Sequence, residues 1–270
     1  MVDRIEAPSR RVIESTLSGT TMTAGGSVAY EPVTFMPDVR VCKIGGQSIM
    51  DRGREAVFPI LDELVAAKDQ YKLLLCTGGG TRARHIYAVG SDLELPTGVL
   101  AALGGYVPRQ NARMLQMLLA KHGGLFMLHD DFEKLPLYFR LGCIPIMTGM
   151  PPFGYWEKPA EGGRIPQHRT DAGVFLSAEV LGAKRAIFIK DEDGLYTDDP
   201  KKNKHATHIP RITAAELLAR NLDDLILERV VIEYLQRARY CTELQIINGL
   251  KRGMITRALA GEDVGTLITK

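Results

Sequence analysis

A chain of 270 residues can bury a full core as one large α/β domain or two small ones. With 45% apolar and 24% charged residues and a formal charge of +2, nothing draws it electrostatically to nucleic acid or an anionic membrane. Aromatics are too few for a single-strand stacking platform, and no apolar run approaches a membrane span.

Four cysteines, Cys42, Cys76, Cys143 and Cys241, stand far apart with no C-x-x-C pair. Three lie in runs that read as buried strands, so reduced core thiols are expected rather than zinc ligands or disulfides. The N-terminus shows no charged-then-apolar signal, and the cytoplasm is the expected compartment.

Residues 1–36 are rich in Ser, Thr and Gly and lack periodicity. They read either as a frayed tail or as an N-terminal arm docked on a neighbouring subunit, the second supported by Val12-Ile13, Val28 and Val33-Thr34-Phe35. From residue 37 to 270 strand and helix patterns alternate. A strand over 39–44 precedes an amphipathic helix over 54–67 with Val57, Ile60, Leu61, Leu64 and Val65 on one stripe. A buried strand over 72–76 runs into Thr77-Gly78-Gly79-Gly80-Thr81, and a helix follows from Arg82 towards Val89.

Residues 96–103 and 108–121 read as two helices broken at Gly104-Gly105, with Met114, Leu115, Leu118 and Leu119 facing the core. Strands over 125–128 and 143–147 flank a short helix around 131–139. After an irregular stretch, 150–169, Thr170 or Asp171 is the expected N-cap of a helix reaching Leu181. A strand over 186–189, a short extended piece at 208–210, and helices from Thr213 and over 226–240 come next. Strands over 244–247 and 265–268 close the chain around a helix at 254–260. The alternation predicts an α/β fold, a three-layer sandwich whose mostly parallel central sheet is covered by helices on both faces.

In an open α/β sheet, ligands bind outside the carboxyl ends of the strands. Three glycine-bearing strand ends fall there: Gly45-Gly46, Gly78-Gly79-Gly80 and Asp193-Gly194. Glycine lets backbone N–H groups approach an anion closely, and each turn has a cation beside it: Lys43, Arg82 with Arg84, and Lys190.

Four stretches carry a family resemblance: Lys43-x-Gly45-Gly46, the Gly78–Gly80 run, Thr170-Asp171-x-Gly173, and Lys190-x-x-Asp193-Gly194-x-Tyr196-Thr197-x-Asp199-Pro200. Together they resemble the amino-acid kinase superfamily, on its uridylate-kinase branch. Further runs are similar to the molybdenum storage proteins, beta-type subunits above all. These are Lys43–Ser48 with Asp51-Arg52-Gly53, Thr81–His85, Gly149–Pro152, Ile165–Gly173 and Lys190–Thr197.

That resemblance implies an amino-acid kinase-like domain over 37–270 and a site for ATP with Mg2+. On it, Lys43 and the backbone at Gly45, Gly46 and Gln47 hold the ATP tail, Gly79, Gly80 and Arg84 add phosphate contacts, and Lys190 spans the phosphates. Asp191 is the magnesium candidate. Asp193 and Gly194 shape the turn, while Tyr196, Asp199 and Pro200 line the adenosine pocket. The resemblance further implies ATP-dependent storage of molybdate or tungstate as polyoxometalate clusters inside a homo- or hetero-hexamer, with or without an alpha-type paralogous subunit.

Uridylate kinases place a ribose-binding acid before a Gly-hydrophobic-Leu-Ala helix. Here Leu95 stands in that place, ahead of Gly98-Val99-Leu100-Ala101. Oxometalate condensation asks instead for many donors around an oxyanion and for groups that deliver protons. Residues 125–169 offer His129, Lys134, Arg140, Tyr155, Trp156, Lys158, Arg164, Gln167, His168 and Arg169, with His129 and His168 the first candidates for metal contact. Three readings stand: a storage subunit, a UMP or other small-molecule kinase, and a silent nucleotide-binding subunit beside an active partner. The missing acid favours the first over the second.

Overall fold

A computed structural model describes residues 33–160, 165–222 and 225–270. The expected arm lies almost wholly outside the described residues, as does Arg164. Of its last residues, Met36 is buried and donates its N–H to the Leu181 carbonyl at 2.7 Å.

The strands are β1 (Val39–Ile44), β2 (Lys72–Thr77), β3 (Gly124–Phe126), β4 (Ile144–Thr148), β5 (Arg185–Lys190), β6 (Leu195–Tyr196), β7 (His208–Ile209), β8 (Arg211–Thr213), β9 (Glu243–Asn248) and β10 (Thr266–Thr269). The α-helices are α1 (Arg54–Ala67), α2 (Gly80–Asp92), α3 (Thr97–Leu118), α4 (Leu135–Arg140), α5 (Thr170–Leu181), α6 (Ala214–Arg220), α7 (Arg229–Arg237) and α8 (Met254–Leu259). One eight-stranded sheet runs β3-β4-β2-β1-β5-β9-β10-β8. Its pairings are parallel except β9 with β10, as the strand–helix alternation predicts. β6 and β7 form a separate antiparallel ribbon.

Strand alternation divides the core into two layers. Val39 and Val41 of β1, with Ala186 and Phe188 of β5, face α5 and α7. Cys42 and Ile44, with Ile187 and Ile189, face α1, α3 and α8. The thiols follow the expectation: all four cysteines are free, and burial pushes those of Cys42 and Cys241 up to about 12. No helix among the described residues is long and apolar enough to cross a membrane.

Three sequence-based expectations change. The two helices expected around Gly104-Gly105 are one, α3, with Pro108 inside it. Gly104 does not break the helix; a methyl there would strike the Tyr87 ring of α2, so glycine serves close packing. Only Leu115 and Leu119 of the expected apolar stripe are buried, while Met114 and Leu118 are exposed. The helix expected from Ile226 begins at Arg229, because Glu228 is held in extended geometry by contacts described below.

Phe188 lies in the central β5 with no solvent exposure. Phe188→Ala is expected to cost about 3–5 kcal/mol through lost burial and a cavity, read as a lower urea midpoint. A midpoint within experimental error of the native one would contradict this packing.

Candidate functional site

Period-2 geometry explains how two lysines come together. On β1 the alternation Val39, Val41 continues to Lys43, and on β5 Ala186, Phe188 continues to Lys190. Both side chains therefore extend the α5 face beyond the apolar layer, where α5 begins. Lys43 Nζ makes a buried ion pair with Asp171 Oδ1 and donates to Thr170 Oγ1 at 2.8 Å. Lys190 Nζ stands 3.5 Å from the same Asp171 oxygen.

Neither Thr170 nor Asp171 is the N-cap that the sequence suggested. The cap comes from Glu228, 57 residues further on: its carboxylate accepts N–H bonds from Arg169, Asp171 and Ala172 at 3.0–3.1 Å. Asp171 Oδ2 accepts the Glu228 N–H in return. Arg169 adds an ion-pair contact to Glu228 at 3.6 Å. Burial and then the neighbouring Asp171 charge push the Glu228 carboxyl above its ordinary value. Asp171 is also penalised by burial, but Lys190 and Lys43 outweigh that and hold its carboxyl down to about 2.

Gly46 packs backbone against backbone on the Gly78–Gly80 run, and any Cβ there would collide with Gly80. Gly80 itself has φ +73°, a conformation that favours glycine, and lies against the Asp51 carboxylate. Asp51 Oδ2 accepts the Thr81 N–H at 2.6 Å, so a protein carboxylate already occupies the start of α2.

These parts surround a cleft of about 700 Å³. Of the expected residues, Lys43, Gly46, Gln47, Gly79, Gly80, Arg84, Lys190, Asp191, Gly194, Tyr196, Asp199 and Pro200 line it. Gly45 sits just behind, its N–H bonded to Ile189 O. Asp193 faces away and braces the turn, accepting from Asn248 at 3.0 Å and Lys251 at 2.6 Å. Asp191 Oδ2 accepts from Arg52 at 2.5 Å and from Lys201 at 3.2 Å, a strap across the cleft mouth. No cluster of three or more His, Cys, Asp or Glu suited to a metal occurs among the described residues. A lone carboxylate such as Asp191 fits magnesium that arrives already bound to phosphate oxygens.

The two histidines lie apart from the cleft lining. His168 is buried with both ring nitrogens engaged, Nδ1 by Glu157 at 2.7 Å and Nε2 by the Tyr234 hydroxyl, which leaves none free for a metal. His129 donates from Nε2 to the Met150 carbonyl at 2.7 Å, and burial keeps its ring neutral to lower pH than usual. Of the other donors expected from 125–169, Arg169 alone lines the cleft among the described residues. Lys134 pairs with Asp131 on the surface, and Tyr155 and Trp156 are exposed.

Sequence reasoning missed Asp51, Arg52 and Glu228 as members of the site. Asp51-Arg52 had a signal in the Asp51-Arg52-Gly53 run of the family resemblance. Glu228 had none, because its partners are distant in sequence.

Asp171 yields a pH prediction. A carboxyl lowered in the folded state contributes stability that is complete above its ordinary value of 3.8 and lost as pH falls through about 2. Glu228, raised from its ordinary 4.5 by burial and by the Asp171 charge, titrates above this window. The gap in urea midpoint between the native chain and Asp171→Asn is expected to narrow between pH 3.8 and about 2. A gap independent of pH would show that Asp171 is not the titrating group.

Residues 38–239 match the amino acid kinase family. The chain is 50% identical over 258 residues, 96% of its length and 95% of the relative's, to the molybdenum storage protein subunit beta of Azotobacter vinelandii. It is 31% identical over 180 residues to the uridylate kinase of Pyrococcus abyssi, spanning 66% of this chain and 73% of that one. Among solved structures, the uridylate kinase of Archaeoglobus fulgidus superposes with a TM-score of 0.64 at 21% identity, over 86% of this chain and all of that one. The UMP kinase of Bacillus anthracis gives 0.67 at 19% identity, over 86% and 96%. The shared sheet, the glycine-lined strand ends and this degree of identity place the chain in the amino acid kinase family, in the group of the molybdenum storage protein beta subunits.

Proposed function

We propose that the chain is a storage subunit that binds MgATP in the cleft and uses it to accumulate molybdate or tungstate as condensed clusters inside an oligomer. By this reading the assembly is a hexamer, with an alpha-type paralogue as the other subunit; the beta-subunit name of the 50% identical relative favours such a partner.

The observation that carries the choice between storage and phosphoryl transfer is the contrast between the cleft lining and the position of Leu95. Lys43, Lys190, Arg84, Arg169 and the glycine turns line the cleft as a triphosphate requires. Leu95, which stands where the uridylate-kinase resemblance calls for a ribose-binding acid, is outside that lining and packs on the apolar cluster of Tyr87, Leu100 and Val107. The irregular segment after β4 also lies on the start of α3: a methyl on Gly98 would strike the Tyr155 carbonyl, and Thr97 Oγ1 receives the Ala160 N–H. An acceptor nucleoside finds apolar packing and backbone where it needs a polar partner.

In this reading the ammonium groups of Lys43 and Lys190 neutralise the phosphates, and the Gly46 and Gly79 backbone borders the cleft beside them. Tyr196, Asp199 and Pro200 border the adenosine. When magnesium is bound it shields phosphate charge, with Asp191 as its protein carboxylate once Arg52 and Lys201 have let go. Each oxo bridge formed between two tetrahedral oxyanions consumes two protons and releases one water, so accumulation should also draw protons from the medium.

Elemental analysis of the protein after growth with molybdate is expected to find many metal atoms per subunit. Conversion of UMP to UDP with no metal retained would replace the storage reading by a kinase. Lys43→Ala is expected to weaken ATP binding about 10- to 100-fold, the loss of one charge-assisted contact of about 1.5–3 kcal/mol. Calorimetry reads this, and an unchanged affinity would remove Lys43 from the site.

A further inference from the structure

A second concentration of positive charge lies outside the cleft, on α3. Tyr106, Arg109, Gln110 and Arg113 border a hollow of about 450 Å³. Arg109 and Arg113 are one helical turn apart and so share a face. Both guanidinium groups lie over the Phe126 ring of β3, at 5.9 Å and 3.7 Å from its centroid. Stacking fixes each guanidinium by its flat face and leaves its edge N–H donors free.

Neither arginine has a carboxylate partner among the described residues. Arg82 of α2, beside them, has none either: it donates to the neutral Gln110 Oε1 at 3.2 Å and to Asn111 Oδ1. Two exposed guanidinium charges thus border the hollow without an ion-pair partner among the described residues, and Arg82 reaches its edge through Gln110. The Tyr106 hydroxyl and the Gln110 amide add neutral donors around the hollow. Such a set suits a tetrahedral oxyanion of multiple charge and offers nothing to a cation.

The hollow is also wired to the cleft. Arg82 ties Gln110 to Asn111, and Asn111 Nδ2 donates to the Gly78 carbonyl at 2.7 Å, at the head of the glycine run. Gln110, which borders the hollow, is thus joined through Arg82 and Asn111 to the turn that lines the cleft.

We propose that this face of α3 is an oxyanion site separate from the cleft, formed by Arg109 and Arg113 with Arg82 behind them, and that it receives molybdate or tungstate or their condensed clusters. The identity of the anion rests on the storage reading; the donor set stands without it.

The test compares the native chain with R109A/R113A and with R109Q/R113Q, whose longer side chains keep contact with Phe126. Molybdate, tungstate and inorganic tripolyphosphate are titrated by calorimetry, retained metal is counted after gel filtration, and thermal melting checks folding. ATP affinity without added anion is the control and is expected to hold in both variants. The native chain is expected to bind the anions with an affinity that falls as salt rises, and both variants to lose about tenfold or more. Equal metal retention in native and variant chains overturns the site while leaving storage intact. Arginine-dependent tripolyphosphate binding in a native chain that holds no metal sustains the site and refutes storage. Absence of anion binding in the native chain overturns the proposal outright.

Discussion

Two ammonium groups and two carboxylates, all largely buried, meet at the start of α5, and the rest of the cleft is arranged around that meeting. Lys43 and Asp171 are each under a tenth exposed, and Lys190 and Glu228 complete the set. Taking such charges from water is costly, and mutual attraction offsets the cost only while all partners remain. The balance of two positive and two negative charges makes the cluster tolerable. It also explains why strand ends rather than loops supply the lysines: a rigid sheet holds the ammonium groups on station.

Helix N-termini commonly receive anions through their unpaired N–H groups. Here the two helices that begin at the cleft are already served by the protein's own carboxylates, Asp51 at α2 and Glu228 at α5. On the proposed reading, anion capture thus falls to side-chain cations and to the glycine turns. The strap of Arg52, Asp191 and Lys201 adds a second layer of self-pairing at the mouth. A ligand bearing phosphates has to compete with internal ion pairs, which favours a polyanion over a singly charged one.

The main parallel strands were readable as apolar runs between helices, while the short β6 and β8 were not. The facing of Lys43 and Lys190 towards one helix emerges only from the period-2 geometry of β1 and β5. The glycine turns were readable too, because little but glycine permits such close backbone contact as Gly46 makes with Gly80. Long-range capping was not. Nothing near Asp171 points to Glu228, and local rules assigned the cap to the nearest small polar residues. The continuity of α3 through Gly104 was hidden for a related reason: whether glycine breaks a helix or admits a neighbour depends on Tyr87, which the local window omits. His168 looked like a metal ligand in sequence because its two partners, Glu157 and Tyr234, are brought to it by the fold.

α5 is fastened at both ends by the same late stretch of chain. Glu228 closes its beginning, while its own Glu179 accepts the backbone N–H groups of Arg239, Tyr240 and Cys241. During vectorial synthesis, Lys43 and Asp171 emerge well before this clasp exists. A nascent chain holds both halves of the central ion pair around an unclasped helix until residues 228–241 have left the ribosome.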